Sequence, residues 1–296
     1  MNHTNSKILQ IAQKLNYTPI ANPDKKRPYV LKVKKNNKYY ILKTRHFADE
    51  INILKILNKQ NITSTKIPKL YKYSKNYIIE DYLPGKSPSI NKFKSEIVLV
   101  RKSISSLHKS LNKKNILYKY AKTGKNNHTS DLSSSKWLVA RLKYWFSNKQ
   151  SSKIHRFNIL QTRKSIQYLK AIKTKTIINF GAFSKQHLRI YKNTVGVFDF
   201  GGHIRFAPAE YDWAYLWWSY FLDEATRHSF LYWVNFTQYI ANHSRNQNEF
   251  YACIIERLAG IAKDLTHQKD VKNDIYKTKK MKILRSQILN HILQNQ

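Results

Sequence analysis

The segment LPGKSPS, residues 83–89, divides the chain into two stretches whose apolar residues recur with different periods. Before it, helix-like and strand-like segments alternate. KILQIAQKLNY places apolar residues at helical spacing, while YVLKVKK and KYYILKTR alternate apolar and polar residues across Asn36-Asn37, the pattern of a hairpin. ADEINILKILNK returns to helical spacing with Ile51, Leu54 and Leu57 on one side, and KIPKLYKYS and NYIIEDYL read as two more strands. After the Pro-Gly break the pattern is mostly helical, in SEIVLVRKSISSLHKSL, SKWLVARLKYWF and FNILQTRKSIQYLKAI, then from YDWAYLWWSYFL to a basic tail helix around MKILRSQILNHIL. Residues 121–136, rich in Ser, Asn and Lys, read as a surface loop, and two short strands are expected within 178–202. The pattern predicts an α+β protein: a small N-terminal sheet lobe over 1–84, a hinge at about 80–85, and a larger, mostly helical lobe over 85–296.

Composition narrows the class. Hydrophobic residues make up 42%, with 20 Tyr, 13 Phe and 6 Trp, enough to build a core and to exclude a disordered chain. Cys253 is the single cysteine, which excludes an internal disulfide and suits a small buried hydrophobe. The N-terminal MNHTNSKILQIAQKLNY lacks the apolar run of a secretory signal, and WAYLWWSYFL (213–222) is too short to span a bilayer. The expectation is a soluble, cytoplasmic protein. Trp213, Trp217 and Trp218 could line a cage for a cation, but Trp213 and Trp217 stand one helical turn apart, which favours core packing. The 54 Lys and Arg against 17 Asp and Glu give a formal charge of +37. Such a field attracts an anionic small molecule, nucleic acid or an anionic lipid surface without selecting among them, and no nucleic-acid-binding module is recognisable.

The segment VGVFDFGGHIRFAPAEYDWAYL (195–216) is similar to the pattern "vgviDfg…dPayDla" of the aminoglycoside phosphotransferase and choline kinase families, and the order of segments along most of the chain resembles theirs. The resemblance implies a two-lobed, protein-kinase-like fold and an ATP and Mg²⁺ site. It places Lys43 at the strand lysine that contacts nucleotide phosphates and Glu50, with Asp49 as its rival, at the helix glutamate that positions it. YIIEDYLPG matches the hinge, where backbone groups around Glu80 and Tyr82 would meet adenine. Asp199 matches the metal-binding aspartate, Asp212 the acid that braces the catalytic loop, and His108 lies on the preceding helix as a packing residue. Of only seven glycines, Gly85, Gly181, Gly201 and Gly202 fall on these motifs.

Two departures accompany the match. The family's catalytic loop reads H-G-D, four residues, then Asn. Here it falls on Phe180-Gly181-Ala182 and then His187, so Ala182 stands where the base should be and a soft imidazole where an oxygen ligand should be. From Ile97 to Phe198 the chain has 22 Lys and Arg against one acid, Asp131, so a substitute base must come from elsewhere, such as Asp223 or Glu224. No glycine precedes Gly85, so no glycine-rich phosphate flap can form; Lys25, Lys26 and Arg27 could offer charge there, or form a solvated basic turn. The leading expectation is a catalytically degenerate, pseudokinase-like protein with residual ATP and Mg²⁺ binding. An active small-molecule phosphotransferase with displaced machinery, and a basic scaffold for nucleic acid or anionic lipid, are the alternatives.

Overall fold

Asn36 and Asn37 adopt positive φ (47° and 60°) and close a two-residue hairpin between β2 (Val30–Lys35) and β3 (Lys38–Lys43). Their polar side chains tolerate this left-handed turn, whose twist matches that of the flanking strands. The computed structural model describes residues 3–22, 27–44, 49–113, 117–123, 133–147, 157–267 and 275–295. β1 (Thr18–Ala21), β5 (Leu70–Ser74) and β6 (Tyr77–Asp81) complete an antiparallel sheet in the order β1-β2-β3-β6-β5. One face, carrying Leu31, Val33, Leu42 and Ile79, packs on Ile8 and Ala12 of α1 (His3–Lys14). Over the other lies α2 (Glu50–Asn58), whose buried apolar residues are Ile53, Leu54 and Leu57; Ile51 is only half-buried.

The helical part comprises α3 (Phe93–Leu111), α4 (Tyr118–Thr123), α5 (Ser134–Ser147), α6 (Ile159–Lys170), α7 (Tyr211–Glu224), α8 (Phe230–Ala241), α9 (Gln247–His267) and α10 (Ile275–Gln294). α7 is its axis: Trp213, Trp217 and Trp218 are buried, and the first two donate their indole N–H to Ile240 O and Thr237 Oγ1 at 3.0 Å. These rings are core, and Cys253 is buried with them.

Three segments differ from the sequence expectation. Across 178–202 there are three strands rather than two, β7 (Ile177–Asn179), β8 (Leu188–Tyr191) and β9 (Thr194–Val197), and a fourth, β10 (Arg205–Ala207), follows just beyond. At three or four residues each, they are too short to display a period. A further two-residue strand, β4 (Thr65–Lys66), pairs in parallel with β9 and inserts a segment from before the hinge into the larger lobe's sheet. The expected loop at 121–136 is helical at both ends, through Thr123 and from Ser134; residues 124–132 lie outside the described ones.

Candidate functional site

Sheet register builds the first part of the site. In the β3–β6 pair, Lys43 stands opposite Ile78 and Ile41 opposite Glu80. Residues opposite one another share a face, as do residues two apart, so Lys43 and Glu80 are diagonal neighbours on the face beneath α2. Glu50, the first residue of α2, closes over them. The Lys43 ammonium donates to Glu50 Oε1 at 2.7 Å and contacts Glu80 Oε1 at 2.8 Å, with all three side chains buried. Burial works against the ammonium, yet Glu80, Glu50 and Asp199 outweigh it and raise its pKa above the ordinary lysine value. Burial also raises the Glu80 carboxyl, which Lys43 only partly offsets, and Glu80 Oε2 has no hydrogen-bond partner among the described residues.

Sequence reasoning placed Glu80 at the hinge for its backbone and missed its side chain. The available signal was the alternation Ile78-Ile79-Glu80, which puts a carboxylate in line with Ile78. Glu80's neighbours on both sides are strands, β3 and β5, and the Tyr82 N–H is donated to Tyr39 O at 3.4 Å. Lys32 Nζ lies 3.9 Å from the centre of the Tyr82 ring.

In the larger lobe, Asp212 organises the loop after β7. Fully buried in the first turn of α7, its carboxylate accepts from the backbone N–H of Phe180 (2.8 Å) and Gly181 (2.7 Å), and His108 Nε2 lies 2.8 Å from Oδ2. His108 is thus a polar brace rather than a packing residue. Asn112, the residue that caps the C-terminus of α3, exchanges two hydrogen bonds of 2.9 Å with the backbone of Ile178. Gly181 has φ +80°, and a Cβ there would collide with His203 O and Arg205. These contacts fix Ala182, whose methyl group is buried; its carbonyl O accepts from His187 Nδ1 at 2.8 Å.

Asp199, just beyond β9, has φ +68°. Its Oδ2 receives Arg27 Nη1 at 3.2 Å and faces His187 Nε2 at 3.4 Å. Burial would raise its pKa, but Lys43, His187, His203 and Arg27 together hold it below the usual carboxylate range. Burial lowers the pKa of His187, and that of His203 to about 4. Because a carbonyl only accepts, His187 Nδ1 carries the proton in the neutral ring and Nε2 turns a lone pair to Asp199. The Arg27 guanidinium is the permanent positive charge in direct contact with Asp199 Oδ2. Asp49 does not join Lys43; its Oδ1 accepts from Gly202 N at 3.2 Å. Asp223 and Glu224 lie 2.8 and 3.9 Å from Lys185 Nζ, three residues after Ala182. Lys25, Lys26 and Asp131 lie outside the described residues.

This donor set fits Mg²⁺ poorly. Mg²⁺ demands a near-octahedral shell of oxygens, whereas here the second expected ligand is an imidazole and the carboxylate oxygen already faces a guanidinium. Among the described residues no three His, Cys, Asp or Glu side chains gather to hold a metal.

A sheet lobe with a buried Lys–Glu pair, followed by a helical lobe carrying a braced loop and an aspartate after a short strand, is a protein-kinase-like fold. Within it, the chain shares the fold of small-molecule kinases. The amicoumacin kinase hAmiN in complex with AMP-PNP, Ca²⁺ and Ami superposes with a TM-score of 0.64 at 12% identity, covering 98% of this chain and 94% of the other. A Plasmodium vivax ethanolamine kinase gives 0.58 at 14%, covering 97% and 87%. The apo form of a thermostable mutant of aminoglycoside phosphotransferase APH(4)-Ia gives 0.58 at 9%, covering 97% and 98%. No family model and no curated protein sequence matches the chain significantly. Among the described residues no helix is long and apolar enough to cross a membrane.

Proposed function

We propose that this is a catalytically degenerate, pseudokinase-like member of the small-molecule kinase fold that admits a nucleotide without transferring its phosphate. The observation that carries the reading is Ala182. The loop is held by Asp212, His108 and Asn112, yet the residue at the base position ends in a buried methyl group. Loss of a positioned general base costs on the order of 10²–10⁴-fold in rate. The other groups that phosphoryl transfer would use face protein partners: Lys43 is held by two glutamates and Asp199 by Arg27. Nucleotide occupancy fits the fold, since Asp→Ala and Asn→Ala variants of APH(4)-Ia form ternary complexes with ADP or AMP-PNP and hygromycin B.

A soluble, cytoplasmic location and an anionic partner accompany this reading, the second resting on the +37 charge. The test pairs ATP titration by calorimetry with release of γ-phosphate over hours. Saturable binding with no release above the protein-free rate is expected. Release abolished by Asp199→Ala would overturn the degenerate reading in favour of an active enzyme, for which Asp223 beside Lys185 is the substitute base to replace next. Absence of ATP binding would overturn the nucleotide reading.

A further inference from the structure

Arg27 joins the two halves of the cleft. It belongs to the segment between β1 and β2, on the N-terminal sheet, while Asp199 belongs to the larger lobe beyond β9. Their contact, Nη1 to Oδ2 at 3.2 Å, spans 172 positions of sequence. Its surroundings are half-open: the Arg27 side chain is 37% exposed and that of Asp199 18%. A guanidinium does not lose its charge in a protein and offers a planar fork of donors, the geometry that grips carboxylate or phosphate oxygens in pairs.

In this fold a metal ion serves to bridge phosphate oxygens and neutralise their charge. A dication on Asp199 Oδ2 would stand beside the Arg27 guanidinium and meet the ring of His187 on its other side, 3.4 Å from the same oxygen. Like-charge repulsion with Arg27 and an imidazole ligand both disfavour it. Arg27 already balances the aspartate, and part of its side chain remains exposed.

We propose that Arg27 is the resident cation of the site, so that a nucleoside triphosphate binds as the free anion and needs no divalent metal. The inference rests on the nucleotide reading given above. A ligand recognised in this way is an uncomplexed polyphosphate, and excess Mg²⁺ competes with the protein for it.

The test is ATP binding by calorimetry in EDTA and in excess Mg²⁺, on the wild type and Arg27→Gln, each first checked for a cooperative thermal transition. Because Arg27 is partly exposed, its replacement is expected to leave the fold intact. The wild type should bind ATP in EDTA at least as tightly as in Mg²⁺. Arg27→Gln should weaken binding in EDTA by about tenfold or more, the scale of a lost charge-assisted contact. Binding by the wild type that falls about tenfold or more in EDTA would overturn the proposal and leave the nucleotide reading standing. So would an Arg27→Gln protein that binds like wild type in EDTA. Absence of binding in both buffers would overturn the nucleotide reading itself, and this inference with it.

Discussion

Replacing Lys43 with Met tests whether the buried charges of the sheet lobe form one balanced unit. Lys43 Nζ lies 2.7 Å from Glu50 and 2.8 Å from Glu80, so the two carboxylate oxygens are at most about 5.5 Å apart. Without the ammonium, two unit charges at that separation repel by roughly 3 kcal/mol at an effective dielectric of about 20. Breaking a buried pair by removing one partner typically costs about 3–5 kcal/mol. At roughly 2–4 °C per kcal/mol for a chain of this class, Lys43→Met should lower the melting temperature by about 6–20 °C. Glu80→Gln behaves differently, because Glu50 alone still neutralises Lys43, and the new amide removes a carboxylate oxygen that lacks a partner; its effect should stay within about 1 kcal/mol. The double variant should recover much of the loss, since a single carboxylate remains. The pH dependence of the wild type's buried unit follows from the raised Glu80 pKa. The folded state holds that proton more tightly than the unfolded chain, so the contribution is fully present below the ordinary value of 4.5 and is lost as pH rises through the folded value. Glu80→Gln should flatten that decline. Circular dichroism melts between pH 4 and 8 decide the matter: a Lys43→Met protein as stable as wild type, or a double variant no better than the single, would refute the balanced unit.

Two further outcomes follow from the loop's supports. Asp212→Ala strands two buried N–H groups and His108; at about 1–3 kcal/mol for each unsatisfied group, a loss of at least about 3 kcal/mol is expected in urea denaturation. Gly181→Ala meets both a positive φ and the carbonyl of His203, so it should cost more than about 2 kcal/mol by the same measurement, well beyond an ordinary surface substitution.

Legibility in the sequence tracked the range of the interactions. The Asn-Asn turn is local, and its two positive φ values come from the two residues themselves. The order of motifs suggested pairing Lys43 with Glu50, seven residues apart, and their atoms meet. Glu80 was placed by backbone logic alone because its side-chain partner depends on the register between β3 and β6, which no single segment carries. Arg27 was weighed as a phosphate contact or a solvated turn; that it reaches Asp199 depends on how two lobes close. His108 on its own helix gave no sign of a partner, since Asp212 lies 104 positions away. The short strands around 178–202 were undercounted for a different reason: three residues of Ile-Ile-Asn or Arg-Phe-Ala display no period, and only cross-strand pairing defines them.

The protein's positive charge and its cleft are separate features. Among the described residues six carboxylates are buried, Glu50, Glu80, Glu210, Asp212, Glu249 and Glu256, against four Lys and Arg. The buried acids have their own partners: Arg101 on Glu210 at 2.7 Å, Arg141 on Glu256 at 3.0 Å, and Ser134 on Glu249 at 3.0 Å. With acids drawn inward, the exterior is more one-sidedly basic than the formal charge of +37 suggests. The cleft is not basic in the same sense. Lys43 and Arg27 face Glu50, Glu80 and Asp199, a set that sums to zero or minus one according to whether Glu80 holds its proton. Long-range attraction for polyanions therefore comes from outside the cleft, for example from the open cavity of about 840 Å³ beside α2, lined in part by Lys55, Lys59, Lys66 and Lys69. On the nucleotide reading proposed above, recognition at this site depends instead on which internal ion pair an incoming phosphate can displace. Of the two, Arg27 on Asp199 is the partly exposed pair, and Lys43 is buried between two acids, so a phosphate group would meet the Arg27 pair first.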